Sequence, residues 1–165
     1  MPIADRPVSG ASIESVWGQQ VHDYTFAPAG VKATTGSSTT VSTTFLGLDL
    51  DTVVEDPGGY LDVGATQIEV PTGGEGLYIL AANFNVTGSV NDQIILAGYA
   101  LNGTIASTAI IYGQTGSTVK GTLPDHLTLT AGDILDFRAR RVGAPNVDVT
   151  CTVSLIRVGA EYGTP

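Results

Sequence analysis

From residue 41 onward, short apolar runs alternate with clusters of Gly, Pro, Asn and Asp, and the runs carry the two-residue period of strands rather than the 3.6-residue period of helices. In residues 41–51, Val41, Thr43 and Phe45 lie on one face, and the alternation slips before Leu48 and Leu50, which predicts a bulge near Gly47. Asp56, Pro57, Gly58 and Gly59 form a turn by chemistry, because Pro fixes φ and Gly supplies positive φ. Residues 66–71 alternate and stop at Pro71. Residues 76–86 and 94–101 are near-continuous apolar runs, separated by a turn at 89–92. Asn102 and Gly103 then make a hairpin signal leading into residues 104–112. Further strands are predicted at 118–121, 127–129, 134–140 and 147–158, with turns at 113–116, 130–133 and 143–146. About eight to ten antiparallel strands at this spacing predict an all-β fold, a jelly-roll sandwich.

Near-continuous apolar runs predict burial on both faces, one against the partner sheet and the other against a second copy of the chain or against the chain's own N-terminal arm. Tyr78, Leu80, Phe84 and Tyr99 are therefore candidate trimer-interface residues. Arg138 and Arg140 join them, because alternation puts both on one face of a late strand, where Arg pairs with carboxylates across an interface. The alternative for the pair is a solvated edge strand protected by charge.

Residues 1–44 read differently and are assigned to an N-terminal arm, extended or partly helical, ahead of a jelly-roll domain over 45–165. Pro2, Pro7 and Pro28 interrupt the arm, and Ser and Thr crowd residues 34–44. Only residues 11–24 place apolar side chains, Ile13, Val16, Trp17 and Val21, at helical spacing, with Ser12 as a cap. A short isolated helix is marginal in water and gains stability by packing on something else. The stripe either docks on the chain's own domain or a sister subunit, or it grips a partner.

Composition agrees with strands. There are 21 glycines, Thr, Val and Ser are abundant, and helix-favouring Lys, Glu, Gln, Met and Arg are scarce. Sixteen acidic residues against seven basic ones leave a formal charge of −9, which excludes nucleic acid as the main partner, since such a partner calls for a basic face. The single cysteine, Cys151, alternates with Val149 and Val153 and is expected in the core as a small hydrophobe. The first residues lack the charged start and apolar run of a signal peptide, and no segment reaches the roughly 20 apolar residues of a membrane span. Synthesis in a host cytoplasm and no membrane insertion are expected.

Candidate chemistry is sparse, and no enzyme is expected. The two histidines, His22 and His126, lie in no catalytic motif, and His126 is expected in a loop. No nucleophile elbow, phosphate loop or zinc-protease pattern occurs. Asp49, Asp51, Glu55 and Asp56 supply hard oxygen ligands of the kind calcium takes, without the spacing of a dedicated calcium loop, and a solvated acidic loop is the competing reading. No cofactor is implied.

The order of the motifs resembles the trimeric jelly roll of tumour necrosis factor and the globular head of complement. The pieces are Ile68–Pro71 followed by Gly76–Leu80, then Leu101-Asn102-Gly103, then Leu127, Leu129, Gly132 and Asp133 entering a late strand. The resemblance covers residues 41–158 and implies a homotrimer; the chain lacks that family's dense aromatic core and collagen-like stalk. Asp5, Arg6, Pro7 and the stretch from Ser15 to Asp23 resemble the start of small virion proteins of tailed phages, such as minor tail, head-fibre or decoration proteins. That implies a structural role at the virion surface, with Arg6, Ile13, Val16, Trp17 and Val21 binding capsid or tail proteins. The competing function is a jelly-roll module that binds a carbohydrate or host receptor.

Overall fold

The computed structural model describes residues 30–61 and 66–160, with side chains described to Val158. Eleven strands and no helix occur among these residues. They are β1 (Gly30–Thr34), β2 (Thr39–Val41), β3 (Leu46–Gly47), β4 (Thr52–Glu55), β5 (Ile68–Glu69), β6 (Gly76–Thr87), β7 (Ile94–Leu101), β8 (Thr104–Tyr112), β9 (Val119–Leu129), β10 (Ile134–Val142) and β11 (Val147–Ala160). One sheet runs β4-β1-β11-β6-β9, with β2 also on β11; the other runs β3-β10-β7-β8, with β5 also on β10. The pairings are antiparallel, and the chain passes from sheet to sheet after each strand from β2 to β6 and again after β8, β9 and β10, which is the jelly-roll connection.

The core follows from alternation. In β6, Tyr78, Leu80, Ala82, Phe84 and Val86 are fully buried, and they meet Phe137, Leu135, Ile95 and Ala97 of the opposite sheet in one cluster. Cys151 lies among them between Val149 and Val153, as its spacing predicts. The expectation that the apolar runs are covered on both faces is corrected for β6. Its buried positions alternate with exposed Leu77 and Ile79, so one face of the strand is open.

Three other expectations change. Residues 30–34 and 39–41, placed in the arm by the sequence, are strands of the first sheet, paired with β11; Thr is at home on a pleated surface. The slip near Gly47 is not a bulge but a change of sheet: Val41 is buried beside β11, whereas Leu46 and Gly47 pair with β10. His126 is in no loop, because residues 119–129 form one strand running through Pro124. β9 is a sheet edge, where a residue without an N–H is tolerated. The stripe of residues 11–24 lies outside the described residues.

The Asn102-Gly103 hairpin forms as predicted, with φ of 50° and 81° at the two residues. Its side chain also holds the next motif. Asn102 Nδ2 donates to Asp133 Oδ1 at 2.9 Å, the Ile134 N–H donates to Asn102 Oδ1 at 2.9 Å, and Asp133 Oδ2 accepts from the Thr130 N–H at 2.8 Å. The Asn102 amide and the Thr130 N–H hold the Asp133 carboxyl below the usual carboxylate range. Gly98 is fixed by close approach, since a Cβ there would stand 1.9 Å from the Ser107 carbonyl oxygen.

Two tests follow from these contacts. Leu80→Asp puts an unpaired charge in the core and should cost more than about 4 kcal/mol in a denaturant melt, whereas Ile79→Asp, one residue along on the open face, should cost about 1 kcal/mol. Because its folded pKa is depressed, Asp133 contributes stability that is present above the unfolded value near 3.9 and is lost as pH falls through the folded value. Asp133→Asn should therefore flatten the fall in stability between about pH 5 and pH 2, measured by melting at each pH.

Candidate interaction surface on the open face of the first sheet

The outward residues of β1, β11, β6 and β9 fall into rows fixed by register. One row is Gly30, Ile156, Ile79 and His126; the next is Lys32, Ser154, Ala81 and Pro124. Leu77, opposite Thr128, continues the first row toward the sheet end, where Val158 sits at a register shift. Leu77, Ile79, Ile156 and Val158 are 44%, 42%, 43% and 50% exposed, so this end of a strand-rich face is apolar and uncovered among the described residues.

The other end is polar and braced from side to side. Thr34 and Thr152 share a hydroxyl hydrogen bond at 3.1 Å, Thr122 Oγ1 donates to Asn83 Oδ1 at 3.0 Å, and Thr40 Oγ1 donates to Asp148 Oδ1 at 2.5 Å. In a chain of net charge −9, the outward rows of β6, β9 and β11 carry a single acid, Asp148, against Lys120 and His126. A second copy meeting this face therefore sets little negative charge against negative charge.

The sequence-predicted residues divide sharply. Tyr78, Leu80 and Phe84 point into the core and are fully buried, and Tyr99 is 3% exposed, so these four side chains are corrected as interface candidates: nothing outside the chain can reach them. Tyr78 donates to the Gly74 carbonyl and accepts from Tyr60 at 2.9 Å, and burial pushes its phenol pKa well up. Tyr99 crosses between the sheets to donate to Asp125 Oδ2 at 2.7 Å, with its phenol raised by burial in the same way. Arg138 and Arg140 do share the outer face of β10, but on the second sheet, away from the open apolar face. Arg138 is bound to Asp136, with Nη2 to Oδ2 at 2.6 Å, and Arg140 lies over the Phe45 ring, 5.1 Å from its centroid.

Two of the four calcium candidates, Asp51 and Asp56, do structural work, whereas Asp49 and Glu55 are exposed. Asp56 closes its turn by accepting from the Tyr60 N–H at 2.8 Å and the Leu61 N–H at 2.9 Å, and Asp51 accepts from the Gly36 N–H. Among the described residues, no three His, Cys, Asp or Glu side chains come together as a metal would need. Burial pushes the Cys151 thiol far up, so it is no nucleophile. Arg6, Ile13, Val16, Trp17 and Val21 lie outside the described residues. Of the residues that the sequence reading missed, Leu77 and Ile79 alternate with Tyr78 and Leu80, which it chose, and Ile156 faces Ile79 across the pairing with β11. The signal was the parity of β6, which an all-apolar run conceals until the facing strand is known.

No helix among the described residues is long and apolar enough to cross a membrane. No protein-family model matches the chain, and no curated protein matches it. Solved structures do share its fold. The globular domain of zebrafish complement 1qA protein superposes with a TM-score of 0.60 at 8% identity, covering 81% of this chain and 99% of that one. The PRD1 vertex protein P5 superposes with a TM-score of 0.56 at 16% identity, with the same two coverages. The Eiger tumour necrosis factor of S. frugiperda gives a TM-score of 0.49 at 16% identity, over 84% of this chain and 98% of that one. The described chain is thus an antiparallel jelly-roll sandwich of the complement globular-domain type, the fold expected from the order of its motifs.

Proposed function

We propose that this chain is a non-enzymatic structural module of a virus particle, a homotrimer formed through the open face of the first sheet and held to a capsid or tail by residues near 5–26. The observation that carries the self-association is the apolar end of that face, where Leu77, Ile79, Ala81, Pro124 and Ile156 adjoin. Covering apolar surface stabilises by about 25 cal/mol per Å², and a second copy of an acid-poor face covers it without setting charge against charge. A trimer is the closed assembly that the resemblance to the tumour necrosis factor and complement heads implies.

The particle assignment draws on two supports. A vertex protein has the same fold, and the N-terminal segment resembles that of tailed-phage virion proteins. Capsid decoration, head fibre and minor tail component all fit, with the sandwich at the virion surface. The non-enzymatic reading fits side chains already committed to structure: Cys151 in the core, Tyr78 and Tyr99 in buried hydrogen bonds, Asp56 and Asp133 in turns.

One feature favours the second reading, a module that binds a host glycan or receptor. A cleft of about 240 Å³ opens where β3 and β5 part along β10, and Phe45, Asp49, Gln67, Asp136 and Arg138 line it. An aromatic wall beside polar groups suits a sugar ring. Binding on a glycan array that Gln67→Ala abolishes would favour it; silence across the array would set it aside.

Light scattering on the purified chain tests the leading reading. The protomer is 16.9 kDa, so the expected mass is three times that, about 51 kDa. Ile79→Asp and Ile156→Asp should each return it to the protomer mass, with a lower melting temperature but a still cooperative transition, since the stabilisation from association is lost while the core is untouched. A native chain at protomer mass, or a trimer indifferent to both substitutions, overturns the assignment of this face.

A further inference from the structure

We infer that Asn102 is a deamidation site that the fold holds closed: the native turn keeps its amide away from the Gly103 nitrogen, and conversion to a carboxylate, once the turn opens, undoes the join between the β7–β8 and β9–β10 turns. This chemistry does not depend on how copies of the chain assemble. Of the five asparagines, only Asn102 precedes a glycine, and both residues of the pair are exposed to water. Glycine has no side chain to shield its backbone nitrogen, which is the group that attacks a preceding side-chain amide. The Gly103 nitrogen adds to Asn102 Cγ and closes a cyclic imide; the bond from Cγ to Nδ2 breaks, and Nδ2 leaves as ammonia with the proton that the Gly103 nitrogen gives up. Water then opens the imide. Attack at the side-chain carbonyl leaves an aspartate, and attack at the main-chain carbonyl leaves an isoaspartate. Nothing is oxidised or reduced, and water is the sole co-reactant.

The native turn opposes the first step. Both polar atoms of the Asn102 side chain are bonded to the neighbouring turn, Nδ2 to Asp133 Oδ1 and Oδ1 to the Ile134 N–H, each at 2.9 Å. The Asn102 N–H also donates to the Ile134 carbonyl at 2.8 Å, so its main chain and side chain are pinned to the same residue of β10. Swinging Cγ onto the Gly103 nitrogen breaks both side-chain bonds and takes the Asn102 acceptor from the Ile134 N–H. Asp133 is itself fixed by the Thr130 N–H at 2.8 Å and the Thr130 hydroxyl at 3.0 Å. Its carboxyl, held below the usual range, stays ionised at neutral pH and has no proton to offer a departing ammonia.

The product does not fit the same place. A carboxylate at this position sets an oxygen where Nδ2 now donates, 2.9 Å from Asp133 Oδ1, and two carboxylates that close disfavour being ionised together. The isoaspartyl product also adds a carbon to the main chain inside a two-residue hairpin whose flanks, Leu101 and Thr104, are paired, so the register of β7 with β8 is disturbed as well. Neither product reverts to the amide. A copy that has opened and reacted therefore carries the change permanently.

Peptide mapping of aspartate and isoaspartate at position 102, during storage of the full-length chain at neutral pH, tests the protection. Formation in the folded chain should be at least about tenfold slower than in the same chain in urea, since only the opened fraction reacts. Asp133→Ala, kept well below its melting transition, should speed the reaction of the folded chain severalfold. Asn102→Asp reads the consequence directly and should raise the unfolding equilibrium constant by roughly tenfold at neutral pH. That deficit should shrink as pH falls through the carboxylate range, because a carboxyl raised by a like neighbour binds its proton more tightly in the folded chain. Asn102→Asp combined with Asp133→Asn exchanges amide and carboxylate and should recover most of the loss. A folded chain that reacts as fast as the unfolded one, a rate indifferent to Asp133→Ala, an Asn102→Asp chain as stable as the parent at neutral pH, or a double variant no better than Asn102→Asp alone overturns the assignment.

Discussion

The antiparallel register of β6 against β11 is the constraint from which the rest of the molecule follows. It pairs Leu80 with Leu155, Ala82 with Val153 and Phe84 with Cys151 on the inner side, and Ile79 with Ile156 and Ala81 with Ser154 on the outer. Successive strand residues point to opposite faces, so slipping this pairing by one position would turn the core residues of one strand to water. β1 and β2 share the far side of β11, β9 the far side of β6, and the second sheet closes on the inner face these two strands define. The same register gathers Leu77, Ile79 and Ile156 into one patch, so the packing of the core and the proposed assembly surface are two sides of one pairing.

The motif order that resembles the tumour necrosis factor and complement heads has a local physical basis. The Asn-Gly turn and the Gly-Asp turn are far apart in sequence, yet Asn102 bonds to Asp133 and to the backbone of Ile134. The two turns lock β7 and β10 at one end, and the Asp133 N–H itself bonds to the Thr130 carbonyl. A conformation-permissive Asn at positive φ and a carboxylate that accepts several N–H groups are hard to replace together, and this coupling gives a loose sequence pattern its structural meaning.

Strands β6, β7, β10 and β11 were legible from sequence as apolar or alternating runs bounded by turns, together with the Asn102-Gly103 hairpin and the burial of Cys151. Their faces were less so, because in Leu77-Tyr78-Ile79-Leu80 every residue is apolar and nothing local says which two are covered. Strands β1 and β2 were read as part of an arm because their Thr and Gly residues carry no apolar signature; their pairing with β11, more than a hundred residues away, holds them. Pro124 concealed a continuous β9, since a proline reads as a break until the strand is known to be an edge. The acids at 49–56 looked like ligands, but Asp51 and Asp56 are acceptors for backbone N–H groups, a role that spacing alone does not separate from metal binding.

Copies of the chain are proposed to meet through the outer side of the β6–β11 pairing. Thiol labelling of an Ala81→Cys variant measures it directly, because Ala81 lies at the centre of that face and the native Cys151 is buried and unreactive. Labelling should be slow in the assembled protein, and adding Ile156→Asp should speed it to the rate of an Ala106→Cys control on exposed β8. Labelling of Ala81→Cys as fast as that control, in protein whose mass is that of a trimer, would place the interface elsewhere.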